Sequence, residues 1–263
     1  MKLLTLNCHA WQETNQLDKI KSLAETIKDN DYDVIALQEV SQSIMEKTVI
    51  GNMKKDNYLV ILLKELKELG VEDYNYFWDF AHIGFDVYEE GLAILTKCKI
   101  EKKHAFSITQ STDPESWKTR KIVGITIEYK NKPISFYSCH LGWWGDEDEP
   151  YDKQVDTLYS YVQENEKFFL MGDFNNDASV KEEGYDYLLS KGFYDTYHLA
   201  VEKDIGTTVE GKITGWDENK EDLRIDYIFT NSTILVKKSN VIFNGENQPV
   251  ISDHFGLEVD LAL

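Results

Sequence analysis

Phe168-Phe169-Leu170-Met171-Gly172-Asp173-Phe174-Asn175 is an apolar run that stops at a carboxylate. A continuous apolar stretch of this length reads as a buried strand, and the residue at its C-terminal end is one that chemistry uses. The same pattern recurs outward from it. Lys2–Asn7 ends on Asn7, and Val34–Gln38 runs into Glu39. Ile134–His140 ends on His140, Ile225–Thr230 carries Asp226 among apolar neighbours, and Asp253-His254 precedes Gly256–Leu261. Leu92–Thr96 and Ile122–Tyr129 complete the strand-like runs. Between them lie three helical stripes, Leu17/Ile20/Leu23/Ala24/Ile27, Leu59/Leu62/Leu63/Leu66/Leu69 stopped by Gly70, and Val155/Leu158/Tyr159/Val162. Strands dominate and helices intervene irregularly, which predicts a layered α/β (α+β) protein with mixed sheets. Strand ends in such a protein converge on one crevice. No proline-rich linker or repeat marks a boundary, so one domain spanning residues 1–263 is expected.

The composition narrows the class. The chain has 263 residues, 47 acids against 28 bases and a net charge of −19. An acidic chain repels polyphosphate and anionic membranes unless positive charge is local or supplied by a metal, so neither nucleic acid nor membrane is an expected partner. No obligate protein partner is evident either. Only Arg120 and Arg224 are arginines, and lysine cannot replace their planar fork at a phosphate or carboxylate. Cys8, Cys98 and Cys139 form no framework, so three buried, reduced thiols are expected. The apolar run before Asn7 is too short for a signal peptide, and the expectation is a cytoplasmic protein.

Taken singly, each strand-end residue has an ordinary reading: a turn asparagine, a solvated glutamate, an interior histidine, an Asx-turn at Asp173. Six sites with the same placement make coincidence a poor account. Asn7 and Glu39 offer hard oxygen ligands suited to Mg²⁺ or Mn²⁺ rather than zinc. Asp173 can orient or deprotonate a water, and an Asp beside a His can keep it protonated. Together these make a kit for metal-assisted hydrolysis of a phosphate ester.

The ordered set Thr5-Leu6-Asn7, Leu37-Gln38-Glu39, Ser138-Cys139-His140, Gly172-Asp173-Phe174-Asn175, Arg224-Ile225-Asp226-Tyr227 and Ser252-Asp253-His254 resembles the endonuclease/exonuclease/phosphatase (DNase I-like) superfamily. The resemblance implies a four-layered sandwich, two mixed β-sheets face to face and flanked by helices. It implies a divalent ion on Asn7 and Glu39, with Asp253 supporting the metal or the pair of Asp226 and His254. It also implies a water positioned by Asp173, phosphate contact from Asn175, and phosphoryl binding by His140 and His254, with Asp226 orienting His254. Arg120 is the implied phosphate contact, with Lys121 competing. Arg224, two residues before Asp226, would share its face on a strand, and a salt bridge is the simpler reading for it.

Superfamily motifs set the reaction and leave the substrate open. After His140, Asp146, Glu147, Asp148, Glu149 and Asp152 place five acids within seven residues, an acidic rim ill suited to DNA. Trp143 and Trp144, with Trp216 as a further wall, could stack on a pyranose. The opening Leu3–Glu13 and the Trp143-Trp144 pair are similar to a bacterial branch of the superfamily that includes a maltose 6′-phosphate phosphatase. The expectation is therefore a Mg²⁺-dependent phosphomonoesterase of a sugar phosphate, maltose 6′-phosphate by that likeness. A phosphodiesterase, nuclease or sphingomyelinase-like, is the alternative, and a non-catalytic binding protein the second.

Overall fold

The computed structural model describes residues 1–263. In chain order the elements are β1 (Lys2–Asn7), α1 (Gln16–Asn30), β2 (Val34–Gln38), β3 (Gln42–Ser43), β4 (Thr48–Ile50), β5 (Met53–Lys54), α2 (Tyr58–Glu68) and β6 (Asn75–Gly84). Then come β7 (Tyr88–Thr96), β8 (Ile100–Ser107), β9 (Lys121–Tyr129), β10 (Lys132–His140), α3 (Tyr151–Val162), β11 (Phe168–Asp173), α4 (Gly184–Ser190) and β12 (Tyr194–Asp195). The chain closes with α5 (Thr196–Leu199), β13 (Ala200–Lys203), β14 (Asp226–Thr230), β15 (Val236–Ile242) and β16 (Gly256–Leu261). One sheet runs β13-β15-β16-β1-β2-β7-β3 with β6 on β7, and the other runs β12-β14-β11-β10-β9-β8. Both are mixed: β1 and β2 pair parallel, as do β10 and β11, among antiparallel neighbours. No helix is long and apolar enough to cross a membrane.

The four layers follow from the period-two alternation of strand side chains. Leu3, Val34, Ala36 and Ile94 of the first sheet meet Val123, Phe136, Phe169, Met171 and Ile228 of the second in a core between the sheets. The alternate residues, Leu4, Leu6, Ile35 and Leu37, pack on Ile20, Leu23, Leu59 and Leu62 of α1 and α2. Tyr137, Cys139, Leu170 and Phe229 pack on Val155, Leu158 and Leu188 of α3 and α4. The expected four-layered sandwich is what the chain forms.

Local departures have local causes. Leu17 is 61% exposed, outside the stripe that buries Ile20, Leu23, Ala24 and Ile27. Gly70, at φ +81°, ends α2 as expected, with the Val71 N–H reaching back to the Leu66 carbonyl. Strands β6, β8 and β15 are absent from the sequence reading. Lys102 and Lys103 in β8 and Lys237 and Lys238 in β15 break the apolar pattern, while β6 mixes exposed and buried positions. Cys8 and Cys139 are buried free thiols, but Cys98 is half-buried.

The parallel pair β10–β11 comes so close at Gly172 (φ +148°) that a Cβ there would lie 2.0 Å from the Cys139 carbonyl oxygen. Gly172→Ala should therefore cost about 3 kcal/mol or more of stability and lower the midpoint of thermal unfolding by circular dichroism. An unchanged midpoint would contradict the register assigned to β10 and β11.

Candidate active site

The inward-facing row of each strand turns from apolar to polar at one end of the sandwich. In the first sheet the Thr5 hydroxyl donates to Gln38 Oε1 at 3.3 Å, and Gln38 Nε2 donates across the sheets to Ser138 Oγ at 2.8 Å. Beyond this buried polar layer the pairings His140↔Asp173 and Asp173↔Asp226 set three functional side chains in one row across β10, β11 and β14. Asn7, at the end of β1, reaches over from the other sheet: its Nδ2 donates to Asp173 Oδ2 at 3.1 Å and to Glu39 Oε1 at 2.9 Å. Glu39 and Asn175 hold left-handed backbone, φ 51° and 49°, a conformation that disfavours ordinary side chains and clusters at functional sites.

Asp173 sits between two imidazoles. His254 Nε2 lies 3.7 Å and His140 Nε2 3.6 Å from Asp173 Oδ2, and His254 Nδ1 bonds Asp226 Oδ2 at 2.9 Å. The two rings have opposite charge preferences. Burial favours neutral His254, but Asp226, Asp173 and Asp253 reverse this and hold its pKa well above the ordinary imidazole range. Burial, Arg120, His82 and His254 all push His140 well below it. Burial raises the Asp173 carboxyl to about 7, with protonated His254 opposing and Asp226 reinforcing the shift. His140 also has Glu39 Oε1 at 4.0 Å and Glu90 Oε1 at 3.9 Å.

Asn7, Glu39, His140, Asp173, Asn175, Asp226 and His254 are brought together as the sequence reading expects. Asp253 is brought to a neighbouring group instead. Its ligand oxygen lies within 4.8 Å of those of His9 and Glu13, and His9 Nδ1 bonds Glu13 Oε1 at 2.8 Å. Asp173, Asp226 and His254 form a second group of the same spacing. Glu90 and Asp173 are buried and Glu39 half-buried, and none of the three carboxylates has a Lys or Arg within 4.0 Å, a donor set and a charge excess that suit a hard divalent cation. Asn7 turns its Nδ2 toward Glu39 and Asp173 while its Oδ1 accepts from the His9 N–H at 3.1 Å, so oxygen ligation of a cation shared with Glu39 requires its amide to turn over.

The row opens into a cleft of about 610 Å³ lined by Arg120, Trp143 and Trp144 among others. Arg120 is buried, its Nη1 donates to the Trp117 carbonyl at 2.9 Å, its Nε has no partner, and no carboxylate lies within ion-pair distance. Lys121 is spent on Asp79 at 3.0 Å, which leaves Arg120 as the available fork. Trp143 carries the Arg120 guanidinium 5.7 Å over its ring. Trp144 is 36% exposed at the mouth.

Two expectations are corrected. Trp216 is not a cleft wall: its ring packs by Val209, Leu223 and Ile225, and its Nε1 donates to Asn175 Oδ1 at 3.0 Å. Arg224 lies just before β14, which begins at Asp226, and forms the salt bridge expected of it: its guanidinium bonds Asp195 at 2.6 Å and stacks on Tyr185, Tyr197 and Tyr227. The acidic rim is only partly paired. Lys118 pairs with Asp146 and Asp148, and buried Glu149 accepts the Gln110 and Ser111 N–H groups at 2.7 and 2.8 Å. Glu90, which shares a face with Leu92 and Ile94 by period two, was legible in β7 but missed. His82, Phe85 and Trp117 also line the cleft and had no strand-end position to mark them.

The chain matches the Endonuclease/Exonuclease/phosphatase family over residues 5–254. A solved endonuclease/exonuclease/phosphatase family protein from Leptotrichia buccalis C-1013-b is 43% identical over 100% of both chains, with a TM-score of 0.94. A mannosyl-6-phosphatase of Bacteroides thetaiotaomicron shares the fold at 19% identity over 100% of both chains, TM-score 0.74. The inositol phosphosphingolipids phospholipase C of Schizosaccharomyces pombe is 24% identical over 320 residues, covering 100% of this chain and 68% of that protein.

Removing the Asp226 carboxylate leaves burial as the leading influence on His254, so the ring should lose its proton at lower pH. In ¹⁵N NMR titrations the wild-type ring should stay doubly protonated through neutral pH, and in Asp226→Asn it should deprotonate earlier. Superimposable titrations would refute the pairing.

Proposed function

The chain belongs to the endonuclease/exonuclease/phosphatase family, and from that premise we propose that it is a cytoplasmic, Mg²⁺-dependent phosphomonoesterase acting on a phosphorylated sugar. Hydrolysis of phosphoric esters is the chemistry of the family. The observation that carries the finer reading is Arg120. It is the only Lys or Arg lining the cleft, it is buried, and it lacks an anionic partner among Glu39, Glu90, Asp146 and Asp173. One fork against that many acids suits a single phosphoryl group better than a polyanionic backbone. The aromatic walls suit the apolar face of a sugar, and the likeness to a mannosyl-6-phosphatase fold supports the same class.

In this reading Arg120 receives the phosphoryl oxygens bidentately, and Asn175, held by Trp216 and the Leu141 carbonyl at 3.0 Å, contributes a further donor. Asp173 takes a proton from the attacking water, for which a pKa near neutrality is suited. The water oxygen bonds to phosphorus, the ester P–O bond breaks, and protonated His254 gives its proton to the leaving oxygen. Neutral His140 donates to a phosphoryl oxygen. Glu39 and Asn7 would hold the Mg²⁺ ion (Mn²⁺ in its place), with Asp253, His9 and Glu13 beside them. That cation supplies charge neutralisation to the phosphoryl group.

A second reading keeps a specific observation in its favour. Phe85 (54% exposed) lines the cleft from the β6–β7 turn, and Val87 (47%) and Met45 (86%) are exposed apolar side chains on and beside that turn, a surface that a lipid phosphodiester substrate could use.

The purified protein with Mg²⁺ should release inorganic phosphate from maltose 6′-phosphate and other sugar phosphates, and EDTA should abolish the release. Asp173→Asn should lower kcat about 10²-fold or more. Cleavage of a sphingophospholipid or plasmid DNA with no sugar-phosphate turnover would overturn the reading.

A further inference from the structure

The turn joining β6 to β7 is built against its own residues. Gly84 and Tyr88 pair, the Val87 N–H bonds the Gly84 carbonyl at 3.2 Å, and the two central residues, Phe85 and Asp86, hold φ 52° and 58°. A tight hairpin with left-handed backbone at both central positions is normally filled by Asn-Gly or Asp-Gly. A bulky aromatic there is a conformational outlier, and such outliers persist where function retains them. Phe85 is also 54% exposed while lining the cleft, so burial does not offset the strain.

Trp117 presents the same combination. It lies in the segment between β8 and β9, is 52% exposed, and lines the cleft. Its segment is tied to the Phe85 hairpin by the Ile83 N–H bond to the Pro114 carbonyl at 2.7 Å. It also belongs to a ladder that starts at the phosphate pole. The Arg120 guanidinium stands 5.7 Å over the Trp143 ring, and Trp143 meets Trp117 edge to face at 6.0 Å. The Arg120 guanidinium also donates to the Trp117 carbonyl at 2.9 Å, so the half-exposed Trp117 ring continues a cleft wall that starts at Arg120 and runs through Trp143, and Phe85 lines the same cleft. A ligand whose phosphoryl group rests on Arg120 has these exposed rings to extend onto.

Building on the proposed sugar-phosphate activity, we propose that Phe85 and Trp117 form a distal subsite that stacks on the second ring of a disaccharide phosphate and sets the preference for it over a monosaccharide phosphate. Indole and phenyl faces pack on the C–H face of a pyranose, and the half-exposed rings lose solvent contact when the distal ring docks.

The test compares kcat/KM for maltose 6′-phosphate and glucose 6-phosphate in the wild type, Trp117→Ala and Phe85→Gly, with thermal midpoints recorded alongside. Wild type should prefer the disaccharide ester, and each variant should lower that preference about tenfold or more, the effect of losing one stacking contact of about 1.4 kcal/mol. Phe85→Gly, which relieves the left-handed backbone, should keep or raise the thermal midpoint, so that its loss of preference cannot come from unfolding. A wild type that cleaves both esters equally, or variants that lower both equally, would overturn the subsite while leaving the sugar phosphatase reading standing. No turnover of either ester would remove both. Selective loss in the variants of activity on sphingophospholipid vesicles or on a nucleoside monophosphate would assign the two rings to a different ligand.

Discussion

Buried charge is the constraint on which the rest of this protein depends. Glu90, Asp173 and Asp226 are withdrawn from solvent at one end of the sandwich, with Glu39 half-buried beside them, against Arg120 and a protonated His254. Charges in such a place must be paired or hydrogen-bonded, or shift toward their neutral forms. The structure uses all three. Asp226 pairs with His254, Asn7 bonds Glu39 and Asp173, and burial lifts Glu90 to about 6 and Asp173 to about 7. What is left over is an excess of oxygen ligands on one side and an unpartnered guanidinium on the other. A divalent cation answers the first and a phosphoryl anion the second.

The sandwich makes this arrangement affordable in structural terms because its two sheets present the charges as the last rungs of apolar ladders. On β11, Phe169 and Met171 belong to the core and Asp173, two residues on, belongs to the site. On β14 the order is reversed, with Asp226 first and Ile228 following into the core. A slip of one residue would turn each of these carboxylates toward the helices. The close approach at Gly172 and the Gln38–Ser138 bond between the sheets guard against such a slip.

Much of this was legible in the sequence because strand-end polarity is a one-dimensional signal. Asn7, Glu39, His140, Asp173, Asp226 and His254 could be read from where an apolar run stops, and their order along the chain pointed to the fold. Side chains that do not sit at such stops were not legible. Trp216 and Trp143 look alike in sequence, and only the tertiary structure turns one inward to hold Asn175 and the other onto the cleft. The run Asp146–Asp152 reads as a wholly unpaired acidic rim until Lys118, distant in sequence, is found beside Asp146 and Asp148. His9 and Glu13 lie in the irregular segment before α1, and Phe85 and Trp117 in turns whose conformation no periodicity encodes.

The account rests on Arg120 as the receptor for one phosphoryl group, and calorimetric titration of inorganic phosphate into the Mg²⁺-loaded protein tests it most directly. One equivalent should bind the wild type, with affinity at least about tenfold weaker in Arg120→Met, the loss of a charge-assisted bidentate contact. Equal affinities in the two proteins would contradict the assignment of the cleft as a single-phosphate site.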